Sequence, residues 1–262
     1  MTEPLAEALR ARGWEAIADD RPDTLLGQGR ADVVLTPPLD YANAIGVIEM
    51  ALVPGVAITT SGFAGLMKLM FNKGLAGFST MAARDPHAAE TVVAVMLLSE
   101  KHDLEPKVIE VARDASLGEM LAVADCALLT GDDALFEMSG STSLLDLTDE
   151  WEDTVEAPLP YMIAWGRMGA VPQAALEELK AARDEAVLML PGIAAHHEHA
   201  AAANAFYQRY LRGEIEYTLG PVETAALEAY YRYAFYYSVI PDIPALKFLP
   251  DGEPAPVSPP GI

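Results

Sequence analysis

The apolar positions of this chain fall into two regimes. Up to about Leu147, short unbroken apolar runs alternate with amphipathic stretches, and from Pro172 onward apolar residues recur at helical spacing. Between the two lies Ala157 to Arg167, APLPYMIAWGR. Its run Tyr161-Met162-Ile163-Ala164-Trp165 is apolar without alternation, preceded by Pro158 and Pro160 and followed by Gly166-Arg167. That is the pattern of a strand buried on both faces. A lone buried strand at such a junction predicts a chain crossing between two bodies with a cleft beside it.

Thr2 to Arg12 reads as a helix, with Thr2 as cap, Pro4 in the first turn and Gly13 as stop. Trp14 to Ile17 is a short strand candidate, Pro22 to Gly29 a second helix, and Ala31 to Leu35 a buried strand ended by Thr36-Pro37-Pro38. This alternation predicts a doubly wound α/β body, although such bodies usually begin with a strand. Two apolar strands follow, Ile48 to Leu52 and Gly55 to Thr60. Ser61-Gly62-Phe63-Ala64-Gly65 is then either a plain turn with a glycine at positive φ or a place where backbone approaches something closely. A second unit starts at Leu75 to Phe78. Asp85-Pro86 signal a helix start and the helix runs to about Lys101. Lys107 to Val111 is a strand, Ala115 to Ala122 a helix, and Ala124 to Leu129 a strand that Thr130-Gly131-Asp132-Asp133 turns into another helix. Leu144 to Leu147 is extended and Thr148 to Val155 is an acidic helix. Leu176, Leu179, Ala186 and Val187 share a helix face. Further helices cover Pro191 to Leu211 and Gly220 to Ser238, the last rich in tyrosine, which predicts packing. Pro241 to Ile262 is a proline-rich, extended tail.

Composition narrows the function classes. The 262 residues, 52% hydrophobic, suffice for a real core in one large domain or two lobes. A net charge of −22 repels nucleic acid and anionic membranes. It also repels small anions at long range, so an anion site needs local positive groups. One cysteine, Cys126, excludes an intramolecular disulfide and fits a reducing cytosol; lying in an apolar run, it predicts core packing. The opening residues contain no apolar signal core and no run reaches membrane-spanning length, so a soluble, intracellular protein is expected.

His196, His197 and His199 are the densest ligand-like cluster. Their spacing fans them around a helix instead of setting two at i and i+4, so a solvated surface is expected and no metal site. Gly27-Gln28-Gly29 lacks the remaining glycines of a phosphate loop, and no Gly-x-Ser-x-Gly elbow is present. Ser61-Gly62 and Ser79-Thr80 remain as hydroxyl-bearing turns that can present hydroxyls and amides to a carboxylate.

Several stretches combine into a larger pattern. Leu35-Thr36-Pro37-Pro38-Leu39-Asp40-Tyr41 follows Gly29-Arg30-Ala31-Asp32-Val33; Leu52 to Ile58 is followed by Ser61-Gly62; Leu128 to Leu135 holds a Gly131-Asp132 turn. Asp146 to Trp151 precedes Pro160 to Trp165, and Tyr217 to Pro221 precedes Leu227, Tyr230-Tyr231 and Ile240-Pro241. In order and spacing these resemble the chorismate dehydratase family of the futalosine route to menaquinone, cytosolic relatives of periplasmic binding proteins. The likeness spans most of residues 4 to 249. It implies an α/β, two-lobed periplasmic-binding-protein-like fold of type 2 with two crossing segments. Lobe one would be residues 1–72 plus 162–262 and lobe two residues 73–161, closing by hinge motion on a ligand in the cleft.

The family's reaction removes water from chorismate to give 3-[(1-carboxyvinyl)oxy]benzoate, without metal or organic cofactor. The resemblance implies that Ser61, Gly62, Ser79 and Thr80 contact substrate carboxylate, with Thr36 and Asp132 lining the cleft; no catalytic base is named. Two departures stand out. The family opens with a strand and Ser-Tyr-Leu-Asn, whose asparagine lies at the reacting centre; here that position falls at about Met1, which expects a gap in the first sheet. The family's Ser-Arg-Thr-Ser turn is replaced by a longer loop with Arg84 displaced and Glu90-Thr91 near its end, and a glutamate there opposes an anion. The rival expectations are a non-catalytic or retuned small-carboxylate binder on the same fold, and a metal-dependent hydrolase using the histidines.

Overall fold

A computed structural model describes residues 2–19, 21–47, 49–72, 78–137, 143–196 and 200–250. In chain order the elements are α1 (Glu3–Ala11), α2 (Pro22–Gly27), β1 (Val33–Thr36), α3 (Pro38–Ala44), β2 (Met50–Thr60), β3 (Met67–Phe71), β4 (Thr80–Ala83) and α4 (Ala89–His102). Then come β5 (Lys107–Glu110), α5 (Leu117–Val123), β6 (Cys126–Thr130), α6 (Gly131–Phe136), β7 (Ser143–Asp146), α7 (Leu147–Val155) and β8 (Leu159–Arg167). The chain continues with α8 (Gln173–His196), α9 (Ala200–Leu211), β9 (Ile215–Glu216) and α10 (Pro221–Tyr236).

The strands form two sheets. The first has the order β1-β8-β2-β9, and every neighbouring pair is antiparallel. The second has the order β5-β4-β6-β3-β7, parallel through β5, β4 and β6 and antiparallel through β6, β3 and β7. The chain passes from one sheet to the other between β2 and β3 and returns through α7 into β8. The apolar run Tyr161–Trp165 is the heart of β8, which pairs with β1 on one side and with β2 along nearly its whole length on the other. A strand flanked on both sides has no solvated edge, hence its unbroken apolar sequence.

Several expected boundaries move, each for a local reason. The two strands expected either side of Pro54 are one strand, β2, carried through by a register shift between Leu52 and Ala57. Proline cannot donate to the ladder and glycine accepts positive φ, so Pro54-Gly55 makes a bulge instead of a break; Gly55 sits at φ +78°. Asp85 begins no helix; its carboxylate takes the His87 amide at 2.8 Å in a turn, and α4 starts at Ala89. α8 runs through Pro191 to His196. Trp14 to Ile17 form no strand; the Trp14 indole donates to Glu178 of α8 at 2.7 Å. Among the described residues β1 and β9 are the edge strands of the first sheet. Residues 75–77 and the side chains of His196 to His199 lie outside the described part of the chain.

Three strands escaped the sequence pattern, β3, β4 and the two-residue β9. β3, inside the segment expected to belong to lobe one, hydrogen-bonds in the second sheet. Its apolar run is interrupted by Lys68, which is buried at 5% exposure and donates to the Ala134 carbonyl at 2.6 Å and the Glu137 carbonyl at 3.3 Å. An ammonium at the carbonyl end of α6 satisfies backbone acceptors that a helix leaves open. β4, Thr-Met-Ala-Ala, offers too little bulk to read as a strand, yet lies between β5 and β6.

The largest apolar cluster is continuous across both sheets. It joins Leu52 and Trp165 of the first to Met67, Leu69 and Cys126 of the second, with Trp151 of α7 and Tyr230 of α10 between them. Trp151 and Tyr230 rings lie 5.7 Å apart. Side chains of the two sheets thus share one packed cluster.

Candidate functional site

A small pocket lies where the two sheets meet. It lies between the start of α3 (Pro38), the start of α4 (Ala89, Glu90, Val93), Met67 of β3, the start of β8 (Leu159, Pro160, Tyr161) and Tyr230 of α10. Its free volume is about 10 Å³, roughly the room of one water.

Three polar side chains line this space, Glu90, Tyr161 and Tyr230, and Asp40 acts on it through its charge on Tyr230. The Tyr161 hydroxyl donates to Glu90 Oε1 at 2.8 Å. Burial first, and then the charge of Glu90, hold the Tyr161 phenol far above the usual tyrosine range; the charge of Asp132 on α6 adds to this. Tyr230, 1% exposed, has a buried hydroxyl without a hydrogen-bond partner. Burial drives its phenol well up as well, and Glu90 and Asp40 reinforce that. Asp40, in the first turn of α3, is raised to about 6, by burial first, then by Asp23 and Glu90, against a smaller opposing effect of Arg21. Among the described residues no Lys or Arg lines the pocket.

The expected site residues are placed as follows. Thr36 ends β1 and is fully buried; its hydroxyl accepts from Trp165 Nε1 at 2.9 Å and donates to the Pro37 carbonyl at 3.2 Å. It stands two residues before Pro38 of the pocket wall. Asp132 is exposed in the first turn of α6 and reaches the pocket only through its charge on Tyr161. Ser61, Gly62, Ser79 and Thr80 are not among the pocket's lining residues.

The amide-bearing turns do bind carboxylates, but the carboxylates are the protein's own. Asp125 Oδ2 accepts from the Ser79 and Thr80 amides at 2.9 and 3.0 Å and from their hydroxyls at 3.3 and 2.8 Å. These bonds, the Ser79 amide foremost, pull the Asp125 carboxyl below its usual range. Thr80 opens β4 and Ser79 precedes it, whereas the pocket lies beyond the opposite end of that strand, at Ala89 and Glu90. In the other turn, Ser61 donates its amide to the Glu214 carbonyl at 2.9 Å, Gly62 donates to the Glu152 carboxylate, and Gly65 donates to Asp146 Oδ2 at 2.8 Å. In both turns backbone amides meet carboxylates of the protein itself.

Tyr161 and Tyr230 were visible in sequence only as members of apolar or tyrosine-rich stretches. What marks them as site groups is the meeting of β8, α4 and α10, which local pattern does not carry. Glu90 was singled out as hostile to an anion, and it is the charged residue in the pocket lining. Among the described residues no group of three or more His, Cys, Asp or Glu could hold a metal ion, and no helix is long and apolar enough to cross a membrane.

Comparison with known proteins places this architecture. No curated protein matches the sequence significantly. Among solved structures, the chain is similar to protein AF1704 from Archaeoglobus fulgidus, with a TM-score of 0.64 at 17% identity over 91% of this chain and 94% of that one. It is similar to an ABC transporter from Parabacteroides distasonis, with a TM-score of 0.64 at 17% identity over 96% of each chain. It is also similar to the periplasmic aliphatic sulphonate binding protein SsuA from Escherichia coli, with a TM-score of 0.62 at 11% identity over 92% of this chain and 90% of that one. At such identities the likeness establishes the fold, the two-sheet α/β arrangement of periplasmic binding proteins. Residues 3–236 match the profile of a family described by its role in menaquinone biosynthesis, and the chain belongs to that menaquinone biosynthesis family.

Proposed function

We propose that the chain is a two-lobed protein that closes on a small organic molecule between Glu90, Tyr161 and Tyr230. The lobes are those expected from sequence, with β3 moved into lobe two, and the passages between β2 and β3 and between α7 and β8 serve as hinges. The observation that carries this is the Tyr230 hydroxyl. It is buried, has no partner, and lies where a carboxylate from α4 and a hydroxyl from β8 converge. Buried polar groups are normally hydrogen-bonded, so an orphan in a pocket between lobes marks a place for a ligand atom.

The finer reading follows from the resemblance: dehydration of chorismate to 3-[(1-carboxyvinyl)oxy]benzoate, in the cytoplasm. An elimination needs groups that carry protons to and from the substrate, and Glu90, Tyr161 and Tyr230 are the pocket side chains able to do so. Purified protein incubated with chorismate and followed by chromatography releases the enolpyruvyl benzoate if this holds. Chorismate left unchanged at high enzyme concentration ends it.

One observation favours a second reading, a retuned binder on the same fold without chorismate turnover. A dianionic substrate entering this pocket meets Glu90 in the wall, Asp40 and Asp132 within electrostatic reach, and no lining cation. Uncompensated like charge in a partly desolvated site is strongly unfavourable.

A further inference from the structure

We propose that a carboxylate of the ligand is held by neutral donors gathered around the Tyr230 pocket: Trp151 Nε1, the Tyr230 hydroxyl and the hydroxyls of Thr60 and Thr148. This rests on the reading that the pocket holding Tyr230 is the ligand site, and it names the groups that meet the ligand's anionic end.

The first argument is where the unpartnered groups fall. Among the described residues five buried side-chain atoms have no hydrogen-bond partner. One is Arg84 Nε, whose guanidinium pairs with Asp133 on α6. The other four belong to Thr60, Thr148, Trp151 and Tyr230, each 1% exposed or less. Such orphans are scarce in folded proteins and each costs stability. Here the four share one neighbourhood. Tyr230 lines the pocket itself. The Trp151 ring lies 5.7 Å from the Tyr230 ring, in the same apolar cluster. Thr148 precedes Trp151 by three residues of α7, so the two lie on one helix face. Thr60 is the cross-strand partner of Leu159, and directly opposed residues share a sheet face. Its side chain therefore stands on the face that Leu159 turns to the pocket.

Chemistry is the second argument. An indole N–H donates and never accepts, and each of the three hydroxyls can donate. An ionised carboxylate is the complement, acceptor only, with about four lone-pair sites on its two oxygens. Neutral donors converging on a carboxylate keep it charged without a lysine or arginine, because bonds to an ionised acceptor are the stronger kind. The turns at Ser61-Gly62 and Ser79-Thr80 already meet carboxylates of the protein, whereas these four groups meet none. The neighbouring acids on their own element do not fill the role. Asp146 accepts from the Gly65 and Thr148 amides, and Glu152 accepts from the Gly62 amide. Glu90 is bonded to Tyr161 and faces the uncharged part of the ligand.

Access is the third. Thr60 ends β2, and α7 runs on into β8, so the donors border both passages that serve as hinges in the proposed closure. Parting of the lobes there uncovers them, and closing on the ligand brings them round its carboxylate.

The test uses two probes that share a ring and differ in charge, 3-methoxybenzoate and 3-methoxybenzyl alcohol. Each is titrated calorimetrically at neutral pH into the full chain, Trp151→Phe, Tyr230→Phe, Thr60→Val and Glu90→Gln. Thermal unfolding of the empty proteins checks that each variant folds; Tyr230→Phe and Thr60→Val are near-isosteric and carry the test if Trp151→Phe does not fold. The expected result is that the parent binds the acid more tightly than the alcohol. Trp151→Phe and Tyr230→Phe each weaken the acid at least about tenfold and leave the alcohol nearly unchanged. Thr60→Val acts in the same direction, and Glu90→Gln does not weaken the acid. The empty Tyr230→Phe protein melts no lower than the parent, because the lost hydroxyl had no partner. Acid and alcohol binding equally, or weakening together in the variants, overturns the carboxylate site and leaves the pocket as the ligand site. A marked fall in the melting temperature of Tyr230→Phe does the same. Absence of binding by both probes, or binding untouched by every substitution, overturns the carboxylate site and the pocket together.

Discussion

At the scale of single residues, the chain's acids do three different jobs that composition merges into one number. Asp125 is a receptor's guest, held by two amides and two hydroxyls. Asp146 bridges the Gly65 amide and the amide of Thr148, capping α7. Asp40 has neither kind of partner and faces other acids. Its folded-state carboxyl titrates near 6 against about 3.9 for an unfolded aspartate. Between those values the unfolded state has already lost its proton while the folded state still holds it, so Asp40's contribution to stability falls as pH rises from about 4 to about 6 and is level above. Asp40→Asn removes that penalty. The variant is expected to be more stable than the parent at pH 7, by about 1 kcal/mol after allowing for solvent screening, and equal to it near pH 4. Urea unfolding at the two pH values reads the difference directly.

At the scale of elements, the bulge in β2 shows how a weak local signal is fixed by a distant one. Gly55 lies at φ +78°, and its carbonyl receives Arg183 from α8. A Cβ there would meet Arg183 Nη1 at 3.2 Å in a backbone conformation that L-residues resist. Gly55→Ala is expected to cost about 1–2 kcal/mol, seen as a lower urea midpoint with unchanged slope. The same contrast between near and far information explains what was readable from sequence. α1, α2, β1, α5, α7 and β8 announce themselves through caps, stop signals and apolar runs within their own spans. β3 did not, because Lys68 looks like a surface charge until α6 is placed above it. The strand expected at Trp14 to Ile17 failed because α8 draws the Trp14 indole away. For the site, the carboxylate-binding character of Ser79-Thr80 was legible, but its occupant, Asp125, stands 45 residues from Thr80 along the chain and no local pattern joins the two. Glu90 was legible as an acid in the wrong place for an anion; its partners Tyr161 and Tyr230 needed the fold.

At the scale of the whole molecule, 39 acidic residues against 17 Lys and Arg leave a formal charge of −22. The observed ion pairs among described residues are mostly exposed, such as Arg10–Glu3 at 2.9 Å and Arg12–Glu185 at 2.6 Å, and pairs of that kind add little stability each. Self-repulsion therefore outweighs them, and it is screened by salt. The melting temperature is expected to rise by several degrees between about 20 mM and 500 mM sodium chloride, where screening lengths fall well below the size of a domain. A protein held together chiefly by surface pairs would instead lose stability over that range.

The near-absence of empty space under Tyr230 has a consequence for how binding would look in solution. Under the proposed closure a guest enters only while the lobes are apart, so the measured dissociation constant is the intrinsic one divided by the fraction of time spent apart. If that fraction is about one in a hundred, contacts good enough for 1 μM would register at roughly 100 μM. Substitutions that weaken the shut form without touching the lining would then sharpen binding, and the strongest variants for ligand capture would be found among the less stable ones.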